Sequence, residues 1–429
     1  MNNINSNSRT ISLPIPDGFD KDIEWLNANI NNDGNDDKII SCETIDLSGS
    51  GGLSGASMFR LVLNKASGTT KTLVCKLTPQ DKQERSKELG QARESIFYES
   101  FSDSLKSIGL SIPSTYYCYG NMQTGEKQII LDDLSDCIQA GYFYGNHSPH
   151  NWGKDLNQLI SPCNQNLVAP LSEQEWVEVI TRKAFNEAAK LHSLFWKRKE
   201  YLQLKWLRSA DWIVGEGEES WTASQQTAVK YWENTKEKIK TKADYGVCWS
   251  PLVIECMEAS ISKISFSSYQ AERSSASYQW TLVHGDYHPA NLMFKSLPLP
   301  LSSNDGNKAN GIVYLLDWEM VGLGSGPQDL AQYIISHVSS ETRRLCELRL
   351  LREYYDALLA SNETITNDTF SWDDCVRDYS HGGAERWIWL LPLLAEMCSD
   401  QMTQFFHDQL QHFLEDHRID GTNIGMPRV

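Results

Sequence analysis

Strand-like hydrophobic runs occupy Met58-Phe-Arg-Leu-Val-Leu63 and Lys71-Thr-Leu-Val-Cys-Lys-Leu77, with the turn Ala66-Ser-Gly-Thr69 between them. A run, a turn and a second run predict a β-hairpin. The Gly/Ser-rich stretch 48–57 leads into it. Residues 81–106 change period. Glu94, Phe97, Phe101 and Leu105 recur at helical spacing, which predicts a helix carrying Glu94 beside its apolar stripe. Two further strand-like runs follow at 114–119 and 127–131. After Asp132-Asp133-Leu134 the pattern turns to long helical stretches at 171–197, 222–241, 342–360 and 384–415. They are interrupted by strand-like runs at 280–283, 291–294 and 311–316, the last two flanking a polar hairpin loop, 296–310. The first forty residues are rich in Asn, Asp and Ser and predict a polar leader with one short helix near Ile23-Glu-Trp-Leu26. The predicted organisation is α+β, without an internal repeat. It comprises a leader (1–40), a small β-rich lobe with one helix (41–133) and a larger, mostly helical lobe (134–429).

With 429 residues, 40% apolar and 22% charged, the chain can build a sizeable core and is not a disordered tail. Thirty-nine Lys and Arg against 56 Asp and Glu give a formal charge of −17, which repels a phosphate backbone or an anionic bilayer. That disfavours nucleic-acid and membrane partners, yet leaves room for a local pocket that takes a small phosphorylated ligand. No window holds the roughly 18 consecutive apolar residues of a membrane helix, and the polar start lacks the apolar core of a secretory signal; the expected location is cytoplasmic. The ten cysteines are dispersed without a Cys-x-x-Cys pair, as expected of reduced thiols, and the sequons at Asn146, Asn362 and Asn367 would matter only in a secreted chain.

The most informative string is His284-Gly-Asp-Tyr-His-Pro-Ala-Asn291, followed after the predicted hairpin by Leu316-Asp-Trp-Glu319. Asp286 and Asn291, five apart, and Asp317 at the end of a strand offer three oxygens to one point. Phosphoryl transfer needs that set: an acceptor for the nucleophile's proton, and hard oxygen ligands for Mg²⁺. His284, Asp286 and His288 also allow a metal-dependent hydrolase reading, because alternating imidazole and carboxylate can share a Zn²⁺. No second His-rich motif supplies the remaining ligands.

His284-Gly-Asp286 with Asn291 resembles the catalytic loop of the aminoglycoside phosphotransferase and choline kinase superfamily of small-molecule kinases, including its ecdysteroid-kinase-like branch. Asp317-Trp-Glu319 and Gly326-Pro-Gln-Asp-Leu-Ala331 resemble that family's metal-binding motif and the helix after it. Val74-Cys-Lys76, Arg93-Glu94-x-x-Phe97-Tyr98, Leu131-Asp-Asp-Leu134 and Ala189-Lys-Leu-His192 match further family segments in the same order, so the resemblance spans about residues 45–335. It implies a two-lobed, protein-kinase-like fold that uses ATP and Mg²⁺. By the resemblance, Asp286 is the catalytic base, and Asn291 and Asp317 are the metal ligands. Lys76, steadied by Glu94, holds the phosphates. Backbone around Gly52, Ser54 and Ser57 covers the nucleotide, and Asp132 and Leu134 lie at the adenine-holding hinge. His284 is expected to brace the loop by hydrogen bonds, and Asp329 to cap or brace it. The Gly/Ser run departs from Gly-x-Gly-x-x-Gly, and the interval from Asn291 to Asp317 is long.

The expected activity is transfer of the γ-phosphoryl group of ATP to a hydroxyl of a small molecule. The acidic excess favours a cationic acceptor such as an amino alcohol or an aminoglycoside; a steroid or other polycyclic alcohol stays open. Trp206, Trp212, Trp221, Trp387 and Trp389 suggest either an aromatic cage for a cation or, more simply, helix-core packing. The competing reading is a pseudokinase-like nucleotide-binding module without catalysis. Against it, Lys76, Asp286, Asn291 and Asp317 are all present. A protein kinase is disfavoured by the lack of an Ala-Pro-Glu segment after Asp317.

Overall fold

The computed structural model of the chain describes residues 13–31, 37–47, 55–164, 170–241, 245–275, 277–297 and 310–429. Gly52 and Ser54 lie outside them. The chain forms two compact units. The first comprises residues 1–108, 112–136 and 317–320, and the second 109–111, 137–316 and 321–429.

In the first unit, helix α1 (Ile23–Asn29) precedes strands β1 (Ile39–Asp46), β2 (Ser57–Lys65) and β3 (Thr70–Leu77). Helices α2 (Gln83–Leu89) and α3 (Arg93–Ser107) follow, then strands β4 (Thr115–Asn121) and β5 (Glu126–Asp132). The strands form one antiparallel sheet in the order β1-β2-β3-β5-β4. Register places Lys76 of β3 opposite Met58 of β2 and Ile129 of β5. The expected single helix over 81–106 is broken at Gly90, whose left-handed backbone (φ 68°) ends α2 and lets α3 restart at Arg93.

Apolar residues of the leader between 15 and 39 join the core. Ile15, Phe19, Leu26 and Ile30 are buried together with Ile39, Leu61, Leu63, Leu73, Cys75 and Ile130, and Trp25 packs its ring 5.3 Å from that of Tyr117. Asp22 caps α1 by accepting from the Trp25 amide. Strand β1 begins before the expected onset at Ile45; its largely exposed side chains hide the alternation that marks a half-buried strand.

The second unit contains β6 (Ile138–Gln139), α4 (Leu156–Asn164), α5 (Glu173–Phe195), α6 (Ala210–Ile213), α7 (Glu218–Thr241), α8 (Pro251–Ser262) and α9 (Phe266–Arg273). Strands β7 (Thr281–Val283), β8 (Leu292–Leu297), β9 (Asn310–Leu315) and β10 (Gly322–Gly324) follow, then α10 (Gly326–His337), α11 (Ser340–Ser361), α12 (Trp372–Met397) and α13 (Asp400–Asp416). Strands β8 and β9 form the expected hairpin, Leu292 opposite Leu315, with β6 at its edge; loop residues 298–309 lie outside the described residues. The helical stretch expected over 384–415 is two helices. Helix α12 starts at Trp372 behind a Ser371/Asp374 capping box and runs through Pro392, and α13 restarts behind Ser399, which accepts from the Met402 amide. Of the five tryptophans, Trp212, Trp221, Trp387 and Trp389 are buried; Trp221 packs on Phe266 and Tyr269, and Trp387 on Phe406. Core packing accounts for Trp212, Trp221 and Trp387, and the Trp389 ring lies against the guanidinium groups of Arg208 and Arg386. No helix among the described residues is long and apolar enough to cross a membrane.

The architecture is α+β, as expected: a small antiparallel sheet with its glutamate-bearing helix, and a larger, mostly helical unit holding the β8–β9 hairpin. Because Leu26 is fully enclosed, Leu26→Ala should lower the unfolding free energy by about 2–4 kcal/mol with an unchanged denaturant slope. A loss below about 0.5 kcal/mol in urea titration would show that residues 13–30 are an appendage and no part of the core.

Candidate functional site

In the first unit the sheet, α3 and the 317–320 segment build one charge cluster. Lys76 leaves β3 with its Nζ 2.8 Å from Glu94 Oε2, 3.2 Å from Asp317 Oδ1 and 3.2 Å from Glu319 Oε1. Lys127 of β5, fully enclosed, donates to Glu94 Oε2 at 2.9 Å and to Glu319 Oε1. Two ammonium groups against three carboxylates leave one negative charge. The electrostatics follow from that imbalance. Burial would lower the Lys76 ammonium, but Asp317, Glu94 and Glu319 hold it well above its usual range. Burial would likewise raise Glu94, but Lys127 and Lys76 pull it down to about 2. Asp317 takes the excess: burial, with Glu319 and Glu94 adding to it, pushes its carboxyl up to about 6 against the pull of Lys76.

Helix α3 fixes the segment that carries Asp317. Arg93 donates to the Glu319 carbonyl at 2.9 Å, and Phe97 stacks on Trp318 with ring centroids 3.9 Å apart and planes 16° from parallel. This gives the Arg93-Glu94-x-x-Phe97 pattern a physical meaning: Arg93 and Phe97 hold the four-residue segment directly, and Glu94 holds the two lysines that meet its carboxylates. The segment needs holding, because Asp317 sits at φ 63°, a left-handed conformation that costs a non-glycine residue energy.

In the second unit the loop 284–291 joins β7 to β8 through a turn at Gly285, whose φ of 78° suits glycine. Asp329 of α10 accepts from the His284 amide (2.7 Å) and the Gly285 amide (3.1 Å), and His192 Nε2 of α5 lies 3.5 Å from it. His284 braces the loop from its other side. Its Nε2 meets the Leu316 carbonyl at 2.8 Å and its Nδ1 accepts from the Asp286 amide at 3.4 Å.

The Asp286 side chain is 38% exposed. Its Oδ1 accepts from Gln332 Nε2 at 3.0 Å and its Oδ2 from Asn291 Nδ2 at 3.2 Å, with His288 Nε2 3.4 Å from Oδ2. Burial would raise this carboxyl, but His288, His284 and Arg386 outweigh it and hold Asp286 well below the usual carboxylate range. Asn291 spends its Nδ2 on Asp286, carbonyl and carboxylate, so its oxygen is the atom left to serve as a ligand. Beside Asp286, His150, His288 and His337 set their rings nearly parallel, with centroids 5.0–6.4 Å apart. Burial, with His288 and Lys154 next to it, pushes His150 down to about 4.

The structure thus brings Lys76, Glu94 and Asp317 together in one unit and Asp286 with Asn291 in the other. Ser57 opens β2 opposite Leu77. Asp132 spends its carboxylate on the Ser114 amide and the Tyr116 hydroxyl, both at 2.9 Å, which ties β4 to β5 and leaves only backbone for a hinge role. Leu134 follows β5 in a half-buried turn. Lys127, Gln332 and Arg386 escaped the sequence reading. A lysine in a strand-like run reads as a solvated edge residue, whereas Gln332 lies three residues past Asp329, a spacing that could have flagged it. The hydrolase reading fails on geometry. Both nitrogens of His284 face backbone groups, and among the described residues the one group of three metal-capable side chains with converging ligand atoms is Glu94, Asp317 and Glu319.

Comparison with known proteins gives a family model described as "Uncharacterized oxidoreductase dhs-27", which matches residues 226–416. No curated protein is recognisably similar in sequence. Similar solved structures include choline kinase LicA from Streptococcus pneumoniae, at 14% identity and a TM-score of 0.41 over 88% of this chain and 94% of that one. Aminoglycoside 2'-phosphotransferase-IIIa in its GDP complex shows 13% identity and a TM-score of 0.41 over 92% and 99%. Macrolide 2'-phosphotransferase MphH from Brachybacterium faecium shows 12% identity and a TM-score of 0.36 over 92% and 98%. Every pairing between named strands of the described residues is antiparallel, unlike the parallel, doubly wound sheet of the Rossmann dinucleotide-binding fold.

Two outcomes follow from the charge cluster. Asp317 carries a proton in the folded chain but not in the unfolded one between about pH 4 and 6, so wild-type stability falls as pH rises through that window. Asp317→Asn should therefore match wild type near pH 4 and exceed it above pH 6. Screening of a partly exposed carboxylate limits the gap to about 1 kcal/mol, roughly 1–3 °C in Tm; equal Tm at pH 7.5 would refute the excess charge. Lys127→Met, which strips an enclosed ammonium from two carboxylates, should cost about 3–5 kcal/mol in chemical denaturation.

Proposed function

We propose that the chain is an ATP- and Mg²⁺-dependent phosphotransferase that moves the γ-phosphoryl group of ATP to a hydroxyl of a small molecule. The observation that carries this reading is the meeting of Lys76, Glu94 and Asp317 within 3.2 Å contacts, although Lys76 and Asp317 stand 241 residues apart. A buried lysine with more carboxylate around it than it can neutralise suits a site that takes both phosphate and a divalent cation.

Lys76, oriented by Glu94, would bind phosphate oxygens through its ammonium hydrogens. Asp317 and Asn291 would hold Mg²⁺; the uncompensated charge on Asp317 and the free oxygen of the Asn291 amide fit a hard cation. When bound, Mg²⁺ supplies positive charge against the phosphate oxygens. Asp286 would accept a hydrogen bond from the acceptor hydroxyl at Oδ1, which has one contact where Oδ2 has two, orient it, and take its proton as the new P–O bond forms. Ser57 and the backbone of Asp132 and Leu134 would contact the nucleotide. The acceptor class favoured by the chain's charge of −17 is cationic, and the chemistry at Asp286 requires only a hydroxyl.

The test is transfer of label from γ-labelled ATP to a panel of amino alcohols, aminoglycosides and sterol-like alcohols. Asp286→Ala should abolish transfer while keeping the wild-type Tm and the thermal shift given by Mg·ATP. Wild-type-like turnover in that variant would remove Asp286 as the base. A thermal shift that responds to Zn²⁺ and chelator, and not to Mg·ATP, would overturn the phosphotransferase reading itself.

A further inference from the structure

Helix α10 contributes two side chains to the catalytic loop from one face, three residues apart. Asp329 holds the backbone amides of His284 and Gly285, and Gln332, 3% exposed, reaches the carboxylate of Asp286. Behind Gln332 stands Arg386 of α12, also 3% exposed. Its Nε lies 3.3 Å from Gln332 Oε1 and its Nη2 donates to the Gly285 carbonyl at 3.0 Å, while its guanidinium packs 4.9 Å from the centre of the Trp389 ring.

The polarity of this chain of contacts is fixed by chemistry. A guanidinium only donates and an ionised carboxylate only accepts, so the side chain between them must accept at one end and donate at the other. An amide does both. Arg386 therefore dictates which end of Gln332 faces Asp286. A carboxylate at 332 would satisfy Arg386 better than an amide does.

We propose that Gln332, oriented by Arg386, is a positioning residue for Asp286: its single bond to Oδ1 fixes the carboxylate and leaves the second acceptor site of that oxygen for the acceptor hydroxyl. The inference rests on the phosphotransferase reading above. Oδ2 already accepts from Asn291 at 3.2 Å and meets His288 at 3.4 Å, whereas Oδ1 accepts from Gln332 alone, at 3.0 Å, so Oδ1 is the oxygen with an acceptor site open to a hydroxyl. In the step itself the acceptor O–H bond breaks, its oxygen bonds to the γ-phosphorus, ADP departs with the bridging oxygen, and the proton passes to Oδ1. Gln332 exchanges no proton.

The test uses the full chain and slow hydrolysis of Mg·ATP, with water as the hydroxyl donor, in wild type, Gln332→Glu, Gln332→Met, Arg386→Ala and Asp286→Asn. Gln332→Glu keeps the Arg386 contact, so its Tm should stay within about 3 °C of wild type. Its kcat should fall by about 10- to 100-fold, because it sets a second carboxylate against Asp286. Gln332→Met should lose kcat to a similar extent, with the KM for Mg·ATP in both within about threefold of wild type. Arg386→Ala should lose kcat and regain part of it in millimolar guanidinium. Adding Arg386→Ala to Gln332→Met should cost little more, since both act through one carboxylate.

Wild-type kcat in Gln332→Glu and Gln332→Met, alongside an inactive Asp286→Asn, would overturn the positioning role and leave the phosphotransferase reading standing. So would a loss in Gln332→Met with full activity in Gln332→Glu, which would mark a purely structural residue. Asp286→Asn turning over like wild type, or a wild type that never hydrolyses Mg·ATP, would overturn both.

Discussion

Five buried or half-buried charges that do not sum to zero govern the first unit. Taking ions out of water is costly unless each finds partners of opposite sign. Glu94 does so twice over, accepting from Lys76 and Lys127, and Glu319 meets the same two lysines. Asp317 meets only Lys76 among them and carries the residual negative charge, in a backbone conformation that favours glycine. Neither cost would persist without the grip of α3, which clasps the neighbouring residues through the Phe97–Trp318 stack and the Arg93 hydrogen bond. Stability is sacrificed at the position where a cation would restore it, a pattern expected of functional sites.

The second unit solves the opposite problem. Asp286 is surrounded by donors, namely Gln332, Asn291 and His288, and its carboxyl is held low where that of Asp317 is raised. Two carboxylates of one chain are thus driven apart by environment, one toward holding a proton when no cation is present, the other toward staying ionised. Divergent environments of this kind are how a protein assigns different roles to chemically identical groups.

The parts of this arrangement that sequence reveals are those built by local spacing. Asp286 and Asn291 share one loop, Glu94 shares a helical stripe with Phe97, and Lys76 sits in a run that could only be a strand; each follows from its near neighbours. What sequence hides is made by distant pairing. Lys127 acquires its meaning from Glu94 and Glu319, 33 and 192 residues away, and Arg386 acquires its own from Gly285, 101 residues earlier. The same holds for the fold. The Asn- and Asp-rich composition of the first forty residues masks Ile15, Phe19, Leu26 and Ile30, which matter only because a sheet face waits for them. In the other direction, continuous helical composition masks the break at Gly90 and the restart behind Ser399, where single residues decide.

A carboxylate held below its usual range is a weak base, which at first sight suits Asp286 poorly to deprotonating an alcohol. The objection loses force in phosphoryl transfer. The transition state is loose, with little bonding between the incoming oxygen and phosphorus, so the hydroxyl becomes acidic only as that bond completes. Until then the useful work is orientation, and a carboxylate whose geometry is set by hydrogen bonds to both oxygens orients better than a free one. His288 belongs to both sets, fixing Asp286 and lowering its basicity. On the proposed reaction the two effects are one design: lost basicity costs little because the proton moves late, and the geometry gained acts from the moment the acceptor arrives.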